Sequence, residues 1–409
     1  MDITIQPRKL SGQVQIIPSK SLAHRYLICA AFADRPTDLI CPEISQDIEA
    51  TVDCLNALGA EIRRTRTGYA VFPLVSSRSH AVLNCRESGS TLRFLLPIAG
   101  ALGADILFKT EGRLSRRPLS PLWEEMQRMG CTLQWISEQE LRVCGRLRPG
   151  DYYIDGGVSS QFITGLLFAA ALLDGYSTIH ITGIPESKPY IDMTQMAMAR
   201  FGMDTRNFSI RGGQTFRSPG SITVEGDWSN GAFWITANAL DSQVQILGLD
   251  DESCQGDREI VRLLPLLKKE MPRISCEDIP DLVPILSVAA AIRQGAEFIG
   301  IRRLRLKESD RVHAVTTMLH ALGGKAEAAE DTLTVYGTGL RGGTVDAMND
   351  HRIAMAAAIA ATVCQESVTI LGAECIQKSY PRFWEEYDRL SQNSAEIHDC
   401  HTSLRTGSQ

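Results

Sequence analysis

Small apolar residues gather in six stretches along the chain, each entered through a polar or glycine-bearing turn. The pattern predicts helices opening near Ser19, Ser88, Ser159, Ser229, Asp281 and Asp350. Their starts are spaced by roughly 69, 71, 70, 52 and 69 residues, so one interval is short and the others agree closely enough to indicate duplication. A second helix follows in phase and closes on glycine before a strand. Leu55 to Gly59 leads into Ala60-Glu61-Ile62, Met126 to Gly130 leads into Cys131-Thr132-Leu133, and Met198 to Gly202 and Met318 to Gly323 close alike. The alternation in Thr132-Leu133-Gln134-Trp135 is that of a half-buried strand. Each unit is therefore a helix, strand, helix, strand module.

The short interval belongs to the unit from about Val224 to Ile279, where Lys268-Lys269-Glu270-Met271-Pro272 leads almost directly to Ile274-Ser275-Cys276. Six such units exceed one hydrophobic core, and three per domain is the natural division of a chain this long. The helices Phe162 to Leu173, Leu282 to Ile292 and Ala354 to Thr362 are apolar nearly all round, which predicts helices inside and sheets outside.

Composition narrows the class. With 44% hydrophobic and 22% charged residues and no apolar run of membrane-spanning length, the chain reads as a soluble enzyme. Met1-Asp2-Ile3-Thr4 does not open a basic-then-apolar leader, so a bacterial cytoplasm is expected. The 11 cysteines form no CxxC pair, and Cys29, Cys54 and Cys364 sit in apolar helical stretches, as reduced packing residues do. His398, Cys400 and His401 are read as a polar tail rather than a metal site. A net charge of -6 argues against general nucleic-acid binding. The basic residues at the helix openings stand out against that acidic background.

Pro18-Ser19-Lys20-Ser21 with Arg25 sets two cations on one side of a helix start, where free backbone N–H groups already favour anions. Glu87-Ser88-Gly89-Ser90-Thr91-Leu92-Arg93 repeats the arrangement, its glycine allowing close approach and its arginine embedded among apolar residues that make an anionic partner desirable. Gly112-Arg113-Leu114-Ser115-Arg116-Arg117-Pro118 offers three arginines in a loop. Ser159-Ser160-Gln161 and Ser187-Lys188-Pro189-Tyr190 suit sugar hydroxyls or a phosphate. Asp281, Lys307-Glu308 with Asp310-Arg311, Asn349-Asp350-His351-Arg352 and Lys378 place acids and cations at corresponding points of the second half. Each segment alone has an ordinary explanation as a helix cap or solvated loop. Together they would converge on a cleft if the two domains face each other.

In this order the motifs resemble those of the 5-enolpyruvylshikimate-3-phosphate synthase family, from Met1 to about Leu390. The resemblance implies an α/β fold, a two-domain inside-out α/β barrel with three βαβαββ units per domain. It implies one domain of residues 1–18 plus 227–409 and another of 19–226, crossings near Pro18 and Glu225-Gly226-Asp227, and a site in the interdomain cleft. The implied reaction passes the enolpyruvyl group of phosphoenolpyruvate to the 5-hydroxyl of shikimate 3-phosphate, releasing phosphate, with no metal or organic cofactor. Carried over by position, Lys20, Ser21, Arg25, Ser159, Ser160, Gln161, Ser187, Tyr190, Asp281 and Lys307 resemble the shikimate 3-phosphate site. Lys20, Gly89, Arg117, Gln161, Arg311, Arg352 and Lys378 resemble the phosphoenolpyruvate site. Asp281 is implied as the base toward the hydroxyl, with Glu308 and Lys20 sharing the other proton transfer.

Two motifs depart from the family pattern. Arg303 stands where an Asn is frequent, and Glu-Ser-Gly-Ser-Thr-Leu-Arg-Phe replaces Asn-Ala-Gly-Thr-Ala-Met-Arg-Pro around Gly89. Room beside Gly89 predicts inhibition by glyphosate. The related transferase acting on UDP-N-acetylglucosamine uses a loop cysteine, whereas the loop here reads Leu114-Ser115-Arg116. A catalytically silent metabolite binder is disfavoured because Asp281, Glu308, Lys20 and Lys378 are all present. No nucleic-acid or membrane partner is expected, and a monomer is.

Overall fold

The structure, a computed structural model, describes residues 1–393. Contacts divide the chain into two compact units, Pro18–Glu225 and the pair of segments formed by Met1–Ile17 and everything from Gly226 onward.

Within Pro18–Glu225 three sheets repeat one topology. The sheet of His80–Asn84, Asp105–Lys109, Glu140–Gly145 and Cys131–Ser137, in that spatial order, begins with a parallel pair and continues antiparallel. A parallel pair needs a crossover, and the helix Gly89–Leu102 supplies it. The short helix Leu122–Arg128 then leads into the closing hairpin, completing βαβαββ. The neighbouring sheets, Ser221–Thr223, Thr37–Ile40, Gly68–Phe72, Glu61–Arg64 and Asp151–Asp155, Tyr176–Thr182, Ser209–Arg211, follow the same rule. The first strand of the former comes from the end of the segment, so the unit closes on itself.

The other unit, among the described residues, also has three sheets. Arg273–Ser275, Ala296–Ile299, Thr332–Tyr336 and Lys325–Ala328 form a full βαβαββ repeat around the helices Val283–Ile292 and Arg311–Ala321. Ile3–Ile5 completes the sheet of Gly343–Asp346 and Val368–Leu371, and Ser11–Gln15 pairs with Gln243–Leu247. The module expected along the chain is contiguous in the sheets that begin with His80–Asn84 and Arg273–Ser275, whereas three other sheets take a strand from far along the sequence. The short repeat lacks the closing hairpin: its second helical segment, a four-residue α turn, Ile260–Leu263, between 3-10 segments, leads directly to Arg273–Ser275, the first strand of the next sheet.

Helices lie inside the sheets. Every residue of His351–Ala361 is buried, as are Val283 to Ala291 and all of Ser160 to Ala171 except Gln161. Strands alternate, Asp151–Asp155 burying every second residue, so each sheet turns one face to the helices and the other to solvent. Second helices stop at left-handed glycines, Gly59 at φ 119° and Gly130 at φ 112°. One expected opening moves: Asp227, not Ser229, caps the helix Trp228–Ala239, accepting from the Asn230 amide at 2.8 Å. Cys364 lies just past its helix rather than inside it, and remains buried. Among the described residues no helix is long and apolar enough to cross a membrane, and no group of three or more His, Cys, Asp or Glu could hold a metal. His398, Cys400 and His401 lie outside the described residues.

Candidate functional site

The expected side chains fall into two clusters in Pro18–Glu225 and one in the other unit. In the first, Ser19 ends extended backbone and Lys20 begins the helix Lys20–Ala31. Lys20 Nζ donates to Asp47 Oδ2 at 2.9 Å, and Asp47 sits in the first turn of Gln46–Leu58, where the helix dipole also favours a carboxylate. Arg25 is 2% exposed. Its Nε donates to Thr194 Oγ1 at 2.8 Å, and its terminal nitrogens to the carbonyls of Ser21 at 2.6 Å and Tyr190 at 2.9 Å. Ser21 and Tyr190 therefore meet Arg25 through their backbones. Ser187, buried and left-handed at φ 56°, turns the chain into the helix Lys188–Arg200. Lys188 pairs with Asp192 on the surface at 3.0 Å.

The second cluster joins the starts of the Gly89–Leu102 and Ser160–Leu172 helices. Arg93 donates to Gln161 Oε1 at 3.2 Å and to the Pro118 carbonyl at 3.1 Å, while Gln161 Nε2 donates to Ser90 Oγ at 3.0 Å. Ser159 caps its helix by accepting from the Gln161 amide at 3.3 Å, and Ser160 is buried in the first turn. A Cβ on Gly89 would lie 2.6 Å from Arg117 Nη1 and 2.7 Å from Arg93 Nη1. The room expected beside Gly89 is therefore filled by guanidinium groups, and the glycine is what lets them approach the helix start. Of the arginine loop, Arg117 turns toward this cluster, Arg113 is exposed and Arg116 pairs with Glu138 at 2.8 Å on the surface.

The third cluster is built on Arg311, 1% exposed at the start of its helix. Its guanidinium reaches Asp350 Oδ2 at 3.0 Å, Asp281 Oδ1 at 2.8 Å and Glu308 Oε2 at 2.6 Å. Asp350 also accepts from Ser309 at 3.0 Å and caps His351–Ala361 through the Arg352 amide at 3.0 Å. The Arg352 side chain returns to Asp281 Oδ2 at 2.7 Å. Burial works to raise the Asp281 carboxyl, but Arg352, Lys307 and Arg311 together hold it well below the usual carboxylate range. Burial lowers the Lys307 ammonium to about 8 against the attraction of Asp281, with Arg303 and Arg311 adding to the fall. Arg303 itself is buried and donates to the Glu277 carbonyl at 3.2 Å. Lys378 Nζ donates to the carbonyl of Asn349 at 2.9 Å.

Several partners escaped the sequence-based expectation: Asp47 on Lys20, Thr194 on Arg25, the Asp350 carboxylate under Arg311, and Asp257. The last is buried, accepts from Ser229 Oγ, and is pushed up to about 7 by burial and then by Asp281, against Arg352. Its sequence signal was only an acid after Gln255-Gly256, easily taken for a turn.

Comparisons with known proteins bear on the chain as a whole. A family model described as EPSP synthase (3-phosphoshikimate 1-carboxyvinyltransferase) matches residues 5–387. A protein of Clostridium kluyveri named 3-phosphoshikimate 1-carboxyvinyltransferase is 40% identical, covering 95% of this chain and 97% of its own. One of the same name from Clostridium acetobutylicum is 38% identical over 97% and 98%. Among solved structures, an EPSP synthase from Acinetobacter baumannii superposes with a TM-score of 0.76 at 21% identity, covering 95% of this chain and 98% of that one. The enolpyruvyl transferase NikO from Streptomyces tendae gives 0.73 at 17%, covering 95% and 96%. At those identities the structural likeness speaks for the fold, the two-domain inside-out α/β architecture.

Proposed function

Since the chain belongs to the EPSP synthase family, we propose that its three clusters serve one reaction, transfer of the enolpyruvyl group of phosphoenolpyruvate to the 5-hydroxyl of shikimate 3-phosphate with release of phosphate. This is the step of aromatic amino acid biosynthesis catalysed by a 3-phosphoshikimate 1-carboxyvinyltransferase. The hydroxyl oxygen adds to C2 of phosphoenolpyruvate as a proton reaches its methylene carbon; loss of that proton and of phosphate then restores the double bond. Asp281 takes the hydroxyl proton, and Glu308 and Lys20 share the transfer at the methylene carbon. Shikimate 3-phosphate is held by Lys20, Ser21, Arg25, Ser159, Ser160, Gln161, Ser187, Tyr190 and Lys307. Phosphoenolpyruvate is held by Lys20, Gly89, Arg117, Gln161, Arg311, Arg352 and Lys378. Both substrates are anions, so these cations offset their mutual repulsion and stabilise the departing phosphate.

The observation that carries this reading is Asp281 gripped by both Arg311 and Arg352. A carboxylate so held is anionic at any working pH but a weak base. Anionic substrates competing for the two arginines would loosen that grip and raise its basicity where the hydroxyl arrives. We expect a cytoplasmic monomer.

Phosphate release from phosphoenolpyruvate tests this directly. It should require shikimate 3-phosphate and fall by about 100-fold or more in Asp281→Ala. Release driven by UDP-N-acetylglucosamine instead, or unaffected by Asp281→Ala, overturns it. Glyphosate should compete with phosphoenolpyruvate; unchanged turnover at millimolar inhibitor and limiting phosphoenolpyruvate would remove that expectation.

A further inference from the structure

A buried polar chain joins the Lys20 and Gly89 helix openings. His24 Nδ1 lies 2.7 Å from Thr51 Oγ1, Thr51 Oγ1 lies 2.6 Å from Thr91 Oγ1, and Thr91 Oγ1 donates to Ser88 Oγ at 2.7 Å. Ser88 Oγ also accepts the Thr91 amide at 3.3 Å, which caps the helix Gly89–Leu102. All four side chains are 0% exposed. One end adjoins Lys20 and Arg25, and the helix that carries Thr51 also carries Asp47, the partner of Lys20, one turn earlier.

Proton counting gives the chain a direction. Thr91 spends its only hydroxyl proton on Ser88, so it must accept from Thr51; Thr51 then has none left for His24, which must donate through Nδ1–H. The ring therefore carries Nδ1–H, and Nε2, with no hydrogen-bond partner among the described residues, has no acceptor for a second proton. Burial first, then the neighbouring Lys20 and Arg25, press the imidazole toward the same neutral form. Phe94 meets the ring edge-on at 6.4 Å and carries the Arg25 guanidinium 5.1 Å above its own ring, so the tautomer sits in a fixed cage.

We propose that His24, Thr51 and Thr91 are positioning residues for the anion site at the Gly89 helix opening, fixing through Ser88 the N–H groups that lie beside the Arg117 and Arg93 guanidinium groups. Taking phosphoenolpyruvate as that anion, as inferred above, the chain acts on its affinity rather than on the chemical step. None of the three side chains touches substrate.

The test is Thr51→Val, which keeps shape and removes the hydroxyl. KM for phosphoenolpyruvate should rise about three- to tenfold, the span of one lost hydrogen bond, with kcat and the KM for shikimate 3-phosphate within about twofold of wild type. Thr51→Ser should restore it. Equal changes in both KM values, or none, overturn the proposal. Should Thr51→Val not fold, nitrogen NMR of His24 in the intact wild-type protein decides: a neutral Nδ1–H ring at pH 7 supports the chain, and an Nε2–H tautomer or an imidazolium overturns it. Wild-type phosphate release measured alongside separates failure of this proposal from failure of the transferase reading, because the tautomer does not depend on turnover.

Discussion

Arginines in the two units are held in different currencies. Around Arg311 and Arg352 the partners are the carboxylates of Asp281, Glu308 and Asp350. Around Arg25 and Arg93 they include hydroxyls, backbone carbonyls and one amide. A carboxylate both orients a guanidinium and offsets its charge, whereas a neutral acceptor orients it and leaves the charge in place. The first arrangement makes anion binding an exchange of partners, so substrate arrival and the basicity of Asp281 are coupled. The second ties Arg25 and Arg93 to several elements of the same unit at once.

The sharpest way to break this comparison is to remove one partner from each. Asp350→Ala strips the nearly inaccessible Arg311 of a carboxylate, Ser309 of its acceptor and the helix His351–Ala361 of its cap. It should cost about 3–5 kcal/mol, as breaking a buried ion pair does. Thr194→Val removes one hydroxyl from Arg25 and should cost about 1–2 kcal/mol. Urea unfolding midpoints measure both, and equal losses would show that the two kinds of partner are energetically alike.

Legibility followed the range of the interaction. The six apolar helices and the glycine stops of the second helices were visible because burial and helix termination are written in neighbouring residues, as in Ala354 to Thr362 or Gly130. The cations of the three clusters were visible because they gather in motifs. What stayed hidden were pairings across sequence: Asp47 with Lys20 spans 27 residues, Thr194 with Arg25 spans 169, and Ile3–Ile5 pairs with Val368, Thr369 and Ile370. Serine and threonine at a helix start also carry two meanings, cap or ligand, and only geometry showed Ser159 capping while Ser229 turns to Asp257.

A second contrast is one of pH. Asp257 is raised from 3.8 to about 7, so the folded state binds its proton more tightly than the unfolded chain. Its contribution is therefore most favourable below 3.8 and declines as pH rises to about 7. Asp281, depressed, acts in the opposite sense: it stabilises above 3.8 and that support is lost only as pH falls below it. The windows do not overlap. Asp257→Asn should thus flatten the decline of stability between about pH 4 and 7 while leaving the acid limb intact, as read from urea midpoints across pH. A decline that persists in Asp257→Asn would place the proton elsewhere.

The smallest expected effect concerns Arg303, the cation that stands where the family pattern favours Asn. It lies close enough to Lys307 to help lower that ammonium, after burial and against Asp281. Arg303→Asn removes the repulsion, so the Lys307 value should climb from about 8. If Lys307 must be charged to hold shikimate 3-phosphate, the alkaline limb of kcat/KM for that substrate moves upward by a fraction of a unit in the variant, while the limb for phosphoenolpyruvate, whose assigned residues do not include Lys307, stays. Movement of both limbs together would mean that Arg303 acts on the whole Asp281–Arg311–Arg352 network rather than on Lys307. The exchange of partners proposed for that network would then extend to a residue that departs from the family pattern.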